Sequence, residues 1–279
     1  MKNKGIVVAF QNLIRWIYLA FFVLISIGPL IWIVMSSFKS NKEILSSAFA
    51  MPGSFNFSGY KAALDLAPIF KFYGNSLFIG FVSTTLNIIV VSMAAYILAR
   101  CCFRGKTILT LLLSSSLLIP TSSLLMPIYI IMTKIGLYDS KTGLIIVYAA
   151  LGLPASLFII KSYFQSIPVE LEEAAYLDGA GFIRTYFTIV FPIAKSGLAT
   201  AAILQFLTAW NEFMFALILT KSTNARTLPL ALNYFTSQFS FNYTAMFAAL
   251  AMVIIPSILI YTLLQEQITD SMVAGSIKG

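Results

Sequence analysis

The sequence predicts an all-α integral membrane protein with six transmembrane helices and one polar helical loop between two of them. Three observations carry that prediction. The 279 residues are 59% hydrophobic and only 10% charged, whereas a soluble domain is about a quarter charged. The apolar segments 17–36, 76–98, 107–130, 142–160, 197–220 and 244–265 are long enough to cross a hydrocarbon core, which takes about 20 helical residues. Of the ten acidic residues in the chain, Glu170, Glu172, Glu173 and Asp178 all fall in one loop, 161–196.

Composition also narrows the chemistry. With no histidine in the chain, His-based triads, haem ligation and His-ligated metals are excluded. Cys101 and Cys102 are the two cysteines, and they are adjacent. That geometry suits neither an ordinary disulfide nor zinc, so no metal site and no cofactor is expected. A net charge of +8 could mean a nucleic-acid partner. The Lys and Arg residues instead lie scattered at the ends of apolar segments, the pattern of bilayer anchoring, so no nucleic acid is expected. A Gly-rich phosphate loop followed by Lys-Ser/Thr is absent, so the chain does not hydrolyse ATP itself.

Taken in order, Lys2, Lys4 and Arg15 precede the first apolar run, which reads as a signal anchor. The second segment carries Ser76, Gly80, Ser83 and Asn87, spaced four, three and four apart on one helical face. Such a face marks close helix packing or a pathway lining, and both readings stand. Pro120 and Pro127 in the third segment predict a bent helix whose freed carbonyls are satisfied by protein.

The loop 161–196 is legible residue by residue. Pro168 and the three glutamates suit the first turn of a helix, where the dipole favours negative charge. Ala174 and Ala175 allow close approach of another surface. Gly179 is a helix stop, Gly181 turns the chain, and a second helix over 182–190 ends or kinks at Pro192.

In the fifth segment, Gln205, Thr208 and Glu212 are spaced to share a helical face, with Asn211 beside them. A carboxylate at that depth costs about 2.5 kcal/mol or more unless it faces the bundle or water. It is either functional or a helix-packing hydrogen bond. The aromatic stretch 233–243 before the last segment, with Tyr234, Phe235, Phe239 and Phe241, reads first as interfacial anchoring. The tail 266–279 ends in small, flexible residues, for which fraying is the plain expectation.

The loop resembles the permease subunits of ATP-binding-cassette importers. Glu173-Ala174-Ala175, Gly179 and the Ile189…Pro192 step match their signature, and the run from Glu173 through Asp178 to Ala180 resembles the carbohydrate-uptake branch, maltose-type second permeases. Ser196 departs from a second proline found in many relatives. The resemblance spans the full chain and implies the type I importer (MetI-like) fold over 1–279, as one domain without internal repeats, with 161–196 as a cytoplasmic coupling loop. By that resemblance Glu172, Glu173, Ala174, Ala175, Asp178, Gly179, Ala180 and Pro192 couple to the ATPase. The ending Gly275, Ser276, Ile277, Lys278, Gly279 resembles a tail that reaches into the ATPase dimer. A short external helix over 60–66 is implied before the second span. The loop holding Tyr234, Phe235, Phe239 and Phe241 would meet the substrate-binding protein. Asn87, Gln205, Thr208, Asn211 and Glu212 line the substrate path or pack the bundle.

The implied partners are a second, non-identical permease, two ATP-binding-cassette subunits, an extracellular or periplasmic sugar-binding protein and the lipid bilayer. The implied location is a bacterial plasma membrane with both termini cytoplasmic. The basic residues favour that orientation weakly, through the dense Arg100–Lys106 turn. The function expected is import of a sugar, most simply an oligosaccharide. Similar permeases also carry glycerol-phosphate or polyols. A stand-alone ion-coupled carrier or channel would show repeated halves and paired membrane charges, and the sequence shows neither.

Overall fold

The structure, a computed structural model, describes residues 2–235 and 242–276, with side chains described over 11–235 and 242–262 and at 265. Every regular element among them is helical. They group into two compact units, Met1–Pro68 with Ala231–Ile255 and Ile69–Leu230 with Pro256–Gly279.

In the first unit, α1 (Lys2–Ser36) contains the first apolar segment and extends it toward the N-terminus. Its side chains from Trp16 to Ile25 are largely exposed, as lipid or protein contact would require. Helix α2 (Asn41–Ser46) opens on a capping box in which Ser40 and Glu43 satisfy each other's backbone N–H groups. The Ser40 N–H, then its hydroxyl and the Gly53 N–H, hold the Glu43 carboxyl below the usual carboxylate range. Lys39 is buried, and its ammonium donates to the Ala48 carbonyl at 2.9 Å. Helix α3 (Ser58–Leu66) occupies the position of the short helix expected before the second span.

The second unit is organised on α4 (Ile69–Arg100), the unbroken rod against which the helices of 141–166 and 195–211 pack. Helices α5 (Lys106–Ser116) and α6 (Leu125–Lys134) replace the single bent span expected over 107–130. The chain turns by 98° between Ser116 and Thr121. Pro120 caps a 3₁₀ turn in that break, and Pro127 sits in the first turn of α6, where its missing N–H costs nothing.

The segment 142–160 is also divided, into α7 (Lys141–Leu151) and α8 (Leu153–Ser166), bent by 49°. Gly152 and Pro154 explain the bend, since Pro154 cannot donate to a carbonyl one turn earlier. The polar loop holds α9 (Glu170–Leu177), α10 (Phe182–Thr185), a π turn over Tyr186–Val190 and α11 (Phe191–Ile193). Helix α12 (Lys195–Asn211) leaves that group at 75°. The expected continuous helix over 197–220 does not form: the backbone becomes extended at Glu212, and α13 (Met214–Leu219) follows.

Helix α14 (Tyr243–Ser276) covers the last apolar segment and continues beyond it. The tail from 266 is helical backbone as far as Ser276, so fraying does not begin at Ala274 or Gly275. Ile277, Lys278 and Gly279, like Phe239 and Phe241, lie outside the described residues.

Candidate functional site

The loop 161–196 is built by the residues that made it legible. Glu170, Glu172 and Glu173 fall in the first turn of α9, where the helix dipole favours them. The helix ends in a Schellman motif: Ala180 N–H donates to the Ala175 carbonyl at 2.9 Å and Gly179 N–H to Tyr176 at 3.0 Å. That motif needs a left-handed residue, and Gly179 supplies it with φ of +83°.

The three glutamates have different surroundings. Glu172 is buried. Its carboxylate accepts from the Tyr96 hydroxyl at 2.7 Å and pairs with the Arg100 guanidinium. Arg100 also donates to the Ile167 carbonyl at 2.7 Å, so it ties the end of α8 to the start of α9. Ala175 is buried beside Glu172, whereas Glu173, Ala174, Leu177, Asp178, Gly179 and Pro192 are exposed and Ala180 is half-buried. Leu177 is 89% exposed, a leucine with nothing of this chain over it.

The second helical group of the loop is fixed from the same side. Tyr186 donates to Ser92 Oγ at 2.8 Å, and burial pushes its phenol above the usual range. The Tyr96 ring stacks on Phe182 at 4.8 Å.

The polar residues expected in the spans converge elsewhere, on the bend between α7 and α8. Asn87, fully buried, donates to the Ala149 carbonyl at 2.8 Å. Gln205, also buried, donates to the Tyr148 carbonyl at 2.9 Å, and its side chain fills the space a Cβ at Gly152 would need. Tyr148 in turn donates through its hydroxyl to Glu212. Asn87, Gln205 and Glu212 thus pack a bent span.

Glu212 is not on the α12 face with Gln205 and Thr208, because that helix has ended at Asn211. Its two oxygens accept from Phe215 N–H at 2.7 Å and Ala216 N–H at 2.9 Å, closing the first turn of α13. Thr208 and Asn211 remain exposed, donating to their own helix at Leu204 and Leu207. Asn211 also accepts from Ser257 at 3.3 Å.

At the opposite end of α4, the loop after α13 is held by several side chains. Asn75 donates to the carbonyls of Arg226, at 2.8 Å, and Thr223, at 3.3 Å; Ser76 Oγ accepts from Leu228 N–H at 2.8 Å. Asp139 Oδ1 accepts from the N–H groups of Lys221 and Ser222, each at 2.8 Å. Burial pushes the Asp139 carboxyl up, but those N–H groups, the Ser222 hydroxyl and the Arg226 charge outweigh it and hold it below the usual range. Downstream of this loop, Tyr234 is half-buried and Phe235 is buried, so Phe235 does not present its ring to a partner in this conformation.

Sequence reasoning missed Tyr96, Arg100, Tyr148 and Asp139 as site-building residues. A signal for the first two existed: Ser92, Tyr96 and Arg100 recur every four residues at the end of a span. That places a hydroxyl, a phenol and a guanidinium on one stripe.

A multi-pass helical unit with a polar, glycine-stopped loop fastened to one long helix is the architecture of an importer permease. The chain matches the model of the binding-protein-dependent transport system inner membrane component over residues 92–273, and it belongs to that family. It is 33% identical over 256 residues to the diacetylchitobiose uptake system permease protein NgcG of Streptomyces coelicolor, covering 91% of this chain and 85% of that one. It is 35% identical to the trehalose transport system permease protein SugB of Mycobacterium tuberculosis, covering 90% and 92% of the two chains. The fold is similar to that of a bacterial ABC transporter that imports the acidic polysaccharide alginate. The TM-score there is 0.81 and the identity 23%, over 92% of this chain and 96% of that one. The protein is thus a multi-pass inner-membrane permease component of an ABC importer.

Proposed function

We propose that this chain is one of two non-identical permeases of a sugar importer, taking up an oligosaccharide or disaccharide delivered by a binding protein. ATP is hydrolysed by two partner cassette subunits, and the two permeases convert an inward-open to an outward-open cavity. Both termini and the loop 161–196 lie in the cytoplasm.

The observation that carries this reading is the division of α9. One face is spent on this chain itself: Glu172 pairs with Tyr96 and Arg100 of α4, and Ala175 is buried. The other, Glu173, Ala174 and Leu177, is exposed and mixes an acid with apolar surface. An exposed leucine at the tip of a polar loop calls for a protein partner, and the family supplies the cassette subunit. The sugar assignment is supported by the diacetylchitobiose and trehalose permeases among the relatives. Thr208 and Asn211, exposed, polar and uncharged, suit a path for a neutral hydroxylated cargo.

Co-expression with its cassette subunits and reconstitution in proteoliposomes test the proposal. The complex should co-purify, and the vesicles should accumulate radiolabelled trehalose or diacetylchitobiose only with ATP and the binding protein present. A permease that transports without the cassettes would overturn it.

A further inference from the structure

Helix α4 meets two loops that the proposed function puts on opposite sides of the membrane. At one end the stripe Ser92, Tyr96 and Arg100 holds α9, α10 and the π turn of the loop 161–196: Tyr186 through Ser92, Glu172 and Phe182 through Tyr96, and Glu172 with the Ile167 carbonyl through Arg100. At the other end Asn75 and Ser76 hold the backbone of 223–228 through three hydrogen bonds. Lys71 adds a contact to the Asn224 side chain. From Asn75 to Arg100 the helix spans about 37 Å, the depth of a bilayer with part of its interfaces.

No break interrupts α4 over this length. The spans that flank it in contact are divided at Gly152 and at Glu212. An unbroken helix transmits a displacement along its axis, whereas a broken one absorbs it at the break. The bonds at each end are to buried or half-buried groups: Glu172, Asn75, Ser76 and Ser92 are all at most 3% exposed. Each bond lost there leaves a polar atom without a partner.

We infer that α4 is the mechanical link between the two surfaces. A displacement of the coupling loop moves α4 as one body with it and repositions 221–228, the segment leading into the stretch proposed to meet the binding protein. Tyr96, Arg100, Asn75 and Ser76 are the positioning residues of that link. The inference rests on the proposed function, since it takes the two loops as the sites of the cassette subunit and the binding protein.

The test is a double-mutant cycle, because position between two sites alone does not establish coupling. Arg100→Gln cuts the inner end and Asn75→Ala the outer. The readout is the ratio of ATP hydrolysis with binding protein to that without it, measured on the whole complex in proteoliposomes supplied with trehalose and diacetylchitobiose. Each single variant should lower the ratio about fivefold or more, and the double variant should lower it no further than the worse single, as for two cuts in one link. Tyr96→Phe and Ser76→Ala form a milder second cycle, each removing only a hydroxyl and keeping the side-chain body, for use if the first pair fails to assemble. They should show the same non-additivity at about twofold. A stimulated wild-type complex whose variants keep the full ratio, or lose it in multiplied steps, would overturn the link and leave the function standing. A wild-type complex that no binding protein stimulates would remove the function and the link together.

Discussion

The Tyr148 hydroxyl donates to Glu212 Oε2 at 2.7 Å, and that same oxygen accepts the Ala216 N–H at 2.9 Å. One carboxylate thereby ties the α7 side of a bent span to a helix that starts three residues after another has ended. Glu212→Ala should therefore act on stability, by about 2–4 kcal/mol for a lost cap and an unpaired buried phenol. Thermal unfolding of the purified complex checks this, and the midpoint should fall most for Glu212→Ala and least for Glu212→Gln and Tyr148→Phe. A Glu212→Gln permease with unchanged midpoint but lost sugar uptake would assign the residue to cargo instead.

Gly152 and Gln205 should behave as a pair. A methyl at 152 would overlap the Gln205 amide, so Gly152→Ala forces that side chain out and breaks its bond to the Tyr148 carbonyl. Alone, Gly152→Ala and Gln205→Ala should each destabilise by about 1–3 kcal/mol. Together they should cost clearly less than the sum, which unfolding midpoints of the four proteins would report.

At Gly179, φ of +83° makes the requirement conformational. Gly179→Asn should be nearly neutral and Gly179→Ala should cost about 1 kcal/mol. Gly179→Val should lower transport in proteoliposomes while the spans still insert and assemble, because only the stop of α9 is strained.

Asp139 gives the loop after α13 a pH dependence whose sign is fixed. Its carboxyl is held below the usual range when folded, so its contribution is fully present above the unfolded value of about 3.9. That contribution is lost as pH falls through the lower folded value. Hydrogen-exchange protection of 220–228, taken relative to the intrinsic rate at each pH, should fall in acid in the wild type. In Asp139→Ala, which has no carboxylate to lose, the same segment should exchange fast already at neutral pH.

The helical class, the polar loop and its glycine stop were legible because composition, dipole and turn chemistry are local. The division of α9 followed less directly: Glu170, Glu172 and Glu173 look alike in sequence, and only the arrival of Tyr96 and Arg100, more than seventy residues earlier, separates Glu172 from the others. The breaks at Gly152 and Glu212 were hidden for a related reason. Apolar runs of span length read as single helices, and a carboxylate that caps a new helix has the same spacing signal as one on a helical face. Gln205 and Asn87 were marked as polar residues in apolar surroundings, but their acceptors, backbone carbonyls of another helix, carry no side-chain signature.

The central claim is that α9 turns one face to its own permease and the other to a cassette subunit. Ala174 and Ala175 are neighbours in sequence, one exposed and one buried, so they test it directly. In a background lacking Cys101 and Cys102, single cysteines at these positions are treated with a short bifunctional thiol reagent in the assembled complex. The account predicts a permease–cassette adduct from Ala174→Cys and none from Ala175→Cys. An adduct from Ala175→Cys alone, or none from either in a complex that hydrolyses ATP, would contradict it.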